Sequence, residues 1–413
     1  MTSIALYVHF PFCLSICPYC DFDRQATGFD RIDAYLTAVQ RELEQYDRHE
    51  QVHSIFFGGG TPSLMRPEQV AVVLRALEQR FEVQPDAEIT IECNPGDADL
   101  AKLQAFRTAG ANRLSFGVQS LDDAMLPMLG RRHSSDQARQ AASWARQADF
   151  QFNLDFMFGL PGQTLVHWQQ TLDQAVALQP DHLSCYLLTL DEKVPMGRDV
   201  ARGALVLPDD DKLAEMYTAA RIRLAEASYE QYEVSNWAKP GRESRHNLTY
   251  WRNGEWIGLG AGAASSYRGR RWKNSPALER YIVSVMASGT AQRVEDEQPD
   301  LAMQLFDHVT LGLRLREGVA LCSFRAQYNE QLLNILSSEG ALLIEHGVLQ
   351  VVDGDRLRVA AEHQLILNEI LARLREPIED YARRATSASH NAASSDWAGS
   401  RGLATSRQSS ALR

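Results

Sequence analysis

Residues 9–23 read "HFPFCLSICPYCDFD", and the meaning of this stretch decides the fold. A β-branched and aromatic run, "IALYVHF" (4–10), feeds directly into a loop carrying Cys13, Cys17 and Cys20, three of the six cysteines in 413 residues. Three thiols cannot pair off as disulfides, and they are one short of a four-cysteine zinc site. Zinc remains open as an alternative if His9 supplies a fourth ligand. The other cysteines, Cys93, Cys185 and Cys322, stand alone in apolar text and read as small buried side chains. The N-terminus has no positively charged leader and no run is long and apolar enough for a membrane span, so a reducing, cytoplasmic setting is expected. In that setting clustered thiols bind metal or do redox chemistry.

Working outward, short strand-like runs recur: "VHSIFFGG", "EITIEC", "RLSFGVQ", "FNLDFMFG" and "HLSCYLLTL". Helical spacing separates them, as at Tyr35, Leu36 and Val39, or at Val70, Val73, Leu74 and Leu77. Strand and helix alternating at this spacing predict six right-handed βα units on a parallel sheet over residues 1–228. Periodicity does not say whether that sheet closes. From 229 to 298 the text turns Gly- and aromatic-rich and hairpin-like, and a β-rich connecting region is expected. Residues 299–376 read as a small α/β, winged-helix-like domain: helices, then the hairpin "GVLQVVDGDRLRVA" with its Asp-Gly turn, then another helix. DNA is an unexpected partner for it, because 300–376 hold seven Arg, no Lys and eleven Asp or Glu in a chain of net charge -11. Residues 377–413 are expected to be a disordered tail, being rich in Ala, Ser and Thr and poor in large apolar side chains.

A four-iron cluster normally takes four thiolates. With three, one iron keeps an open position that the amine and carboxylate of an amino-acid-like cofactor can fill. The spacing C-x3-C-x2-C resembles the signature of the radical S-adenosylmethionine superfamily. Other strand ends agree with it. "FFGGGTPS" (56–63) resembles that superfamily's glycine loop, "ECNPG" (92–96) ends the third strand, and "GVQS", "LGRRH" and "GLPGQT" follow.

Taken together, "YVHFPFC", the three cysteines, "GGGTPS", "ECNPG", "GVQS" and "GLPGQT" resemble the coproporphyrinogen dehydrogenase branch of radical SAM proteins. The likeness is dense from Tyr7 to Thr164 and thinner to about residue 376. It implies a partial (β/α)6 barrel followed by a C-terminal domain, and a [4Fe-4S] cluster on Cys13, Cys17 and Cys20. It also implies contacts of Tyr7, Gly59 and Glu92 with one S-adenosyl-L-methionine. Tyr19, Gly60, Thr61, Gln119, Arg131 and Asp155 would contact a second. Within this branch, an oxygen-independent oxidase decarboxylates coproporphyrinogen III through a 5′-deoxyadenosyl radical, and a heme-chaperone subfamily passes heme to apoproteins. The oxidase carries a further cysteine where Phe22 stands here, and a longer N-terminal arm. "HNLTYW" (246–251) resembles the chaperone motif HNxxYW. On that reading His246 is a heme axial ligand, Tyr250 and Trp251 stack on the porphyrin, and Arg242 and Arg245 meet its propionates. The chain therefore reads as a heme chaperone whose partners are heme and heme-accepting apoproteins, with no nucleic acid and no transmembrane segment. Peripheral membrane contact is compatible with this. The oxidase is the alternative.

Overall fold

The computed structural model describes residues 3–399, with side chains to residue 387. It divides into two compact units, Met1–Gln298 and Pro299–Arg413.

The first unit begins with six parallel strands in chain order: β1 (Ile4–Phe10), β2 (Gln51–Gly59), β3 (Glu82–Cys93), β4 (Arg113–Gln119), β5 (Gln151–Phe158) and β6 (His182–Leu187). Helices α1 (Ile32–Glu42), α2 (Pro67–Arg80), α3 (Leu100–Ala109), α4 (Ser135–Gln147) and α5 (Leu165–Ala177) connect them, and α6 (Pro195–Ala201) and α7 (Asp210–Glu226) follow β6. Alternation along each strand explains the layering. Leu6 and Val8, Ile55 and Phe57, Leu114 and Phe116, and Leu154 and Phe156 are all buried on the face the helices cover. Each such side chain contributes about 1.5–3 kcal/mol when removed from water. The expected apolar stripe of α2, Val70, Val73, Leu74 and Leu77, is buried as its spacing requires. Side-chain caps start the helices: Asp99 on α3, Ser134 with Gln137 as a capping box on α4, and Thr164 on α5.

Residues 229–298 extend this same sheet at both edges. On the β6 side lie antiparallel β8 (Asn236–Ala238) and β7 (Glu230–Glu233). On the β1 side lie β9 (Trp256–Leu259), parallel to β1, then β10 (Ala264–Tyr267), β11 (Arg270–Asn274) and β12 (Arg293–Glu297), with α9 (Leu278–Ser288) preceding β12. The twelve strands have two free edges, β12 and β7, so the barrel is partial. One expectation is corrected here: "HNLTYW" is not hairpin text but the core of helix α8 (Arg245–Trp251). Ser244 caps it by accepting from Asn247 N–H, and seven residues are too few to show a helical period in sequence.

In the second unit α10 (Leu301–Arg314), β13 (Val319–Ala320), α11 (Leu321–Tyr328) and α12 (Leu332–Glu345) precede a hairpin and a last helix. The hairpin pairs β14 (Leu349–Val352) with β15 (Arg356–Val359), and α13 (Leu367–Gly399) follows it. The hairpin turn places Asp353 and Gly354 at φ 53° and 70°, the left-handed pair that an Asp-Gly turn supplies. Two expectations change. Cys322 is exposed rather than buried. The tail expected from 377 is helical through Gly399, with Ile378 and Ala382 buried. Its composition argues against burial, not against helix, and alanine is the best helix former. The rest of that tail, 400–413, lies outside the described residues. Among the described residues, no helix is long and apolar enough to cross a membrane.

Candidate cofactor site

The loop after β1 closes on itself at its base. Cys13 N–H donates to Gln25 O at 2.9 Å, and Gln25 N–H donates to Pro11 O at 2.7 Å. The three thiols are free and partly buried in the lobe between. The glycine loop docks against it: Gly60 N–H reaches Phe10 O and Thr61 N–H reaches Phe12 O, both at 2.8 Å. A Cβ on Gly60 would stand 2.7 Å from Phe12 O and 2.8 Å from Phe10 O, so only glycine fits the contact. Thr61 Oγ1 lies 3.5 Å from Cys13 Sγ, and Arg131 Nη1 lies 3.6 Å from Cys17 Sγ. Burial, with the neighbouring thiols, pushes the Cys13 thiol above its usual range, and burial does the same at Cys20. A bound metal cation reverses that preference.

The donor set suits a four-iron cluster better than zinc. Among the described residues no three His, Cys, Asp or Glu side chains converge on one ion. The corners of an iron–sulfur cube need no such convergence, since each thiolate serves its own iron. His9, the alternative zinc ligand, has both ring nitrogens committed. Nε2 bonds to Asp23 O at 2.7 Å and therefore carries the proton, while Nδ1 accepts from the Tyr7 hydroxyl at 3.0 Å.

The face of the sheet opposite the helices forms one cavity of about 730 Å³, within the range of small-molecule sites. The cluster and S-adenosylmethionine candidates from the sequence all line it, Cys13, Cys17, Cys20, Tyr7, Tyr19, Gly59, Gly60, Thr61, Glu92, Gln119, Arg131 and Asp155, and so does His246. They converge because alternation turns Tyr7, Glu92, Gln119 and Asp155 to the same face of neighbouring strands. Glu92 Oε2 accepts from Gly59 N–H at 3.1 Å. Burial, then the Asp155 charge, pushes its carboxyl up to about 8, so it is protonated at neutral pH. Burial also raises Asp155, against donors from Ser115 Oγ at 2.9 Å and Asn153 Nδ2 at 2.8 Å. Arg131 spans the wall, bonded to Asn94 Oδ1 and Gly117 O.

Helix α8 closes the opposite, N-terminal end of the barrel. Glu88 on β3 accepts from the backbone N–H groups of Arg245 at 3.0 Å and His246 at 3.1 Å, and from Ser244 Oγ at 3.3 Å. Arg113 on β4 pairs with the same carboxylate at 3.7 Å. His246 is 1 % exposed and stacks on Phe56, with ring centroids 5.0 Å apart. Its Nδ1 bonds Ser54 Oγ at 3.1 Å and its Nε2 bonds Tyr250 OH at 2.7 Å. Burial lowers its pKa to about 3. The imidazole is therefore neutral, and both nitrogens are occupied. Tyr250 joins it on the cavity wall, but Trp251, Arg242 and Arg245 do not. Arg245 turns outward to Asp86, and Arg242 to Asp181.

The sequence reading missed Glu88, Arg113, Ser115, Asn153, His133 and His182. Asn153 uses all four hydrogen-bonding positions: Nδ2 donates to Ser115 Oγ and Asp155 Oδ1, while Oδ1 meets His182 Nδ1 and Ser184 Oγ. The available signal was a polar side chain at every second strand position, as in "RLS" and "NLD".

Residues 7–175 match the Radical SAM superfamily model. The heme chaperone HemW of Bacillus subtilis is 35% identical over 348 residues, covering 83% of this chain and 92% of that protein. HemW of Lactococcus lactis is 34% identical over 81% of this chain and 89% of that protein. The mitochondrial radical S-adenosyl methionine domain-containing protein 1 of Danio rerio is 35% identical over 89% of this chain and 86% of its own length. The structure of Escherichia coli coproporphyrinogen III oxidase, HemN, superposes with a TM-score of 0.77 over 90% of both chains at 22% identity, a likeness of fold. Together with three thiols on the loop after the first strand, these matches show that the chain belongs to the HemW family of radical SAM proteins.

Proposed function

We propose that this protein is a heme chaperone: it binds heme and a [4Fe-4S] cluster with S-adenosyl-L-methionine, and passes heme to acceptor apoproteins. The observation that carries the proposal is the match, along nearly the whole length of both chains, to proteins named heme chaperones. Cys13, Cys17 and Cys20 hold the cluster, whose open iron supplies a place for the cofactor's amine and carboxylate. Tyr7, Gly59 and Glu92 bind one S-adenosylmethionine, and Glu92 holds a proton at the carboxyl oxygen not engaged with Gly59. Tyr19, Gly60, Thr61, Gln119, Arg131 and Asp155 bind a second. His246 serves as an iron ligand on this reading only by exchanging its bond to Tyr250. The exposed Leu14, Ile16 and Phe22 on the cysteine loop support contact with an apolar partner, an acceptor protein or a membrane surface in the cytoplasm.

The second reading, an oxygen-independent coproporphyrinogen III oxidase, draws on the shared fold. One experiment separates the two. Anaerobically reconstituted protein with S-adenosylmethionine is given coproporphyrinogen III in one vessel and heme in another. A saturable Soret band without decarboxylated product is the expected result; decarboxylation with turnover overturns the chaperone reading.

A further inference from the structure

Four arginines line the cavity, and three of them are spent near its cysteine-loop end. Arg24 donates to the carbonyls of Phe22 and Cys20, Arg131 donates to Asn94 Oδ1 and Gly117 O, and Arg132 faces Asp97 at 3.8 Å from a half-exposed position. Arg113 is different. It is the first residue of β4, at the end of the barrel that α8 closes, and it is 3 % exposed. A guanidinium carries five N–H donors, yet the one side chain paired with this one among the described residues is Glu88, 3.7 Å from Nε and beyond hydrogen-bond reach. Nη2 is buried with no acceptor. Thr90, its register partner on β3, has a buried, unpartnered Oγ1 as well. Burying polar groups without partners is costly, so these unmade bonds point to a ligand that supplies acceptors.

We infer that Arg113 is a carboxylate receptor at the floor of the cavity, where it takes a propionate of heme held at α8. The inference rests on the heme-binding reading above and leaves His246 as the iron ligand. Charge fixes the class of ligand. Both histidines at this end are neutral: burial lowers His182 well below its usual range and His246 to about 3, and each has both ring nitrogens bonded. One fixed positive charge therefore stands open. That matches a monoanion, and the planar fork matches a carboxylate in shape. Position fixes the source. Glu88 accepts from His246 N–H and faces Arg113, so the imidazole and the guanidinium have one carboxylate as common neighbour. The Arg113 charge is accordingly among the causes that lower the His246 pKa, after burial and His53. Glu88 does not compete for the ligand's place, because its oxygens are taken up by Arg245 N–H, His246 N–H and Ser244 Oγ. Arg242 and Arg245 are turned away to Asp181 and Asp86. Only the propionate arm enters the floor; the ring stays at α8, clear of the end that holds the cluster and S-adenosylmethionine.

The test titrates ferric heme and ferric heme dimethyl ester, which has no free carboxylate, into anaerobically reconstituted full-length protein, wild type and Arg113→Met, following the Soret band. The ratio of heme affinity to ester affinity should fall at least tenfold in Arg113→Met. Band positions should stay the same, because the iron ligand is untouched. A variant that is merely destabilised loses affinity for both ligands together and keeps the ratio. An unchanged ratio overturns the assignment while the chaperone reading stands. Should Arg113→Met fail to fold, Glu88→Gln with Arg113→Met, which removes both charges and keeps an oxygen for the α8 donors, is read in the same way. A wild type without saturable heme binding overturns both readings. Equilibrium dialysis of S-adenosylmethionine against the heme-free proteins covers the other carboxylate source. Its affinity should be the same in wild type and variant. A tenfold loss in Arg113→Met with an unaltered heme-to-ester ratio gives the carboxylate to the cofactor, and that too overturns the propionate assignment.

Discussion

Replacing Glu88 by Ala should cost the first unit about 3–5 kcal/mol of stability, the range for breaking one side of a buried ion pair. The figure follows from what the carboxylate touches. It accepts from two backbone N–H groups at the start of α8 and from Ser244, and it faces Arg113, with side-chain exposures of only 7% and 4% for the pair. Hydrogen bonds to a charged group are worth about 1.5–3 kcal/mol each, and the orphaned guanidinium adds a desolvation cost. For a unit of roughly 300 residues the unfolding entropy is about 0.6 kcal/mol per degree, so the melting temperature should fall by about 5–8 °C. Urea unfolding followed by circular dichroism measures the loss. In the double variant with Arg113→Met the second substitution should cost little or restore stability, because no unpaired charge remains. Iron content should be unchanged, since the cysteine loop lies at the other end of the strands. A loss below about 1 kcal/mol, or strict additivity in the cycle, would refute the account of α8 as a plug held by this pair.

Gly60→Ala should strip the cluster while leaving most of the fold, because its Cβ collides with backbone atoms of Phe10 and Phe12. Overpacking of this kind costs about 1–3 kcal/mol; retention of wild-type iron and sulfide content would contradict it. Glu92, raised to about 8 in the folded chain, contributes stability that is fully present below the unfolded carboxyl range and is lost as pH climbs through 8. From pH 7 to 9 this should lower the stability of the cofactor-free protein by about 1 kcal/mol. In Glu92→Gln, which keeps an oxygen for Gly59 N–H, that slope should vanish; an unaltered slope would place the titrating group elsewhere.

What could be read in the sequence divides along a physical line. The cysteine loop, the glycine loop and the carboxylate that closes the third strand were legible, since each is a local pattern: a spacing, a turn, or a polar residue ending an apolar run. The six βα units were legible for the same reason, as both periods sit inside windows of ten or so residues. The state of His246 was not. Its residue type names the chemistry available to it, but whether a nitrogen is open depends on Ser54 and Tyr250, one of them almost two hundred residues away. Arg242 and Arg245 looked equally suited to propionates, and only the outward placement of Asp86 and Asp181 shows that they are used elsewhere.

The interior of the barrel carries the more general argument. A closed (β/α) barrel fills its centre with Val, Ile and Leu. Here the corresponding row is Ser54, Glu88, Glu92, Arg113, Ser115, Asn153, Asp155 and His182. Such a row is expensive to bury unless each member has a partner, and the structure divides its members by how they are satisfied. Asn153 and Glu88 spend their hydrogen bonds on the protein itself, holding Asp155 and α8 in place. Glu92 has one protein donor and sits on the cavity wall, beside the cysteine loop, with a second carboxyl oxygen to spare. Residues of the first kind can be replaced only at the cost of stability, and residues of the second kind at the cost of binding. The period-two polarity of these strands therefore marks where a ligand must complete the core, and the hydrogen bonds left unmade mark which atoms it must meet.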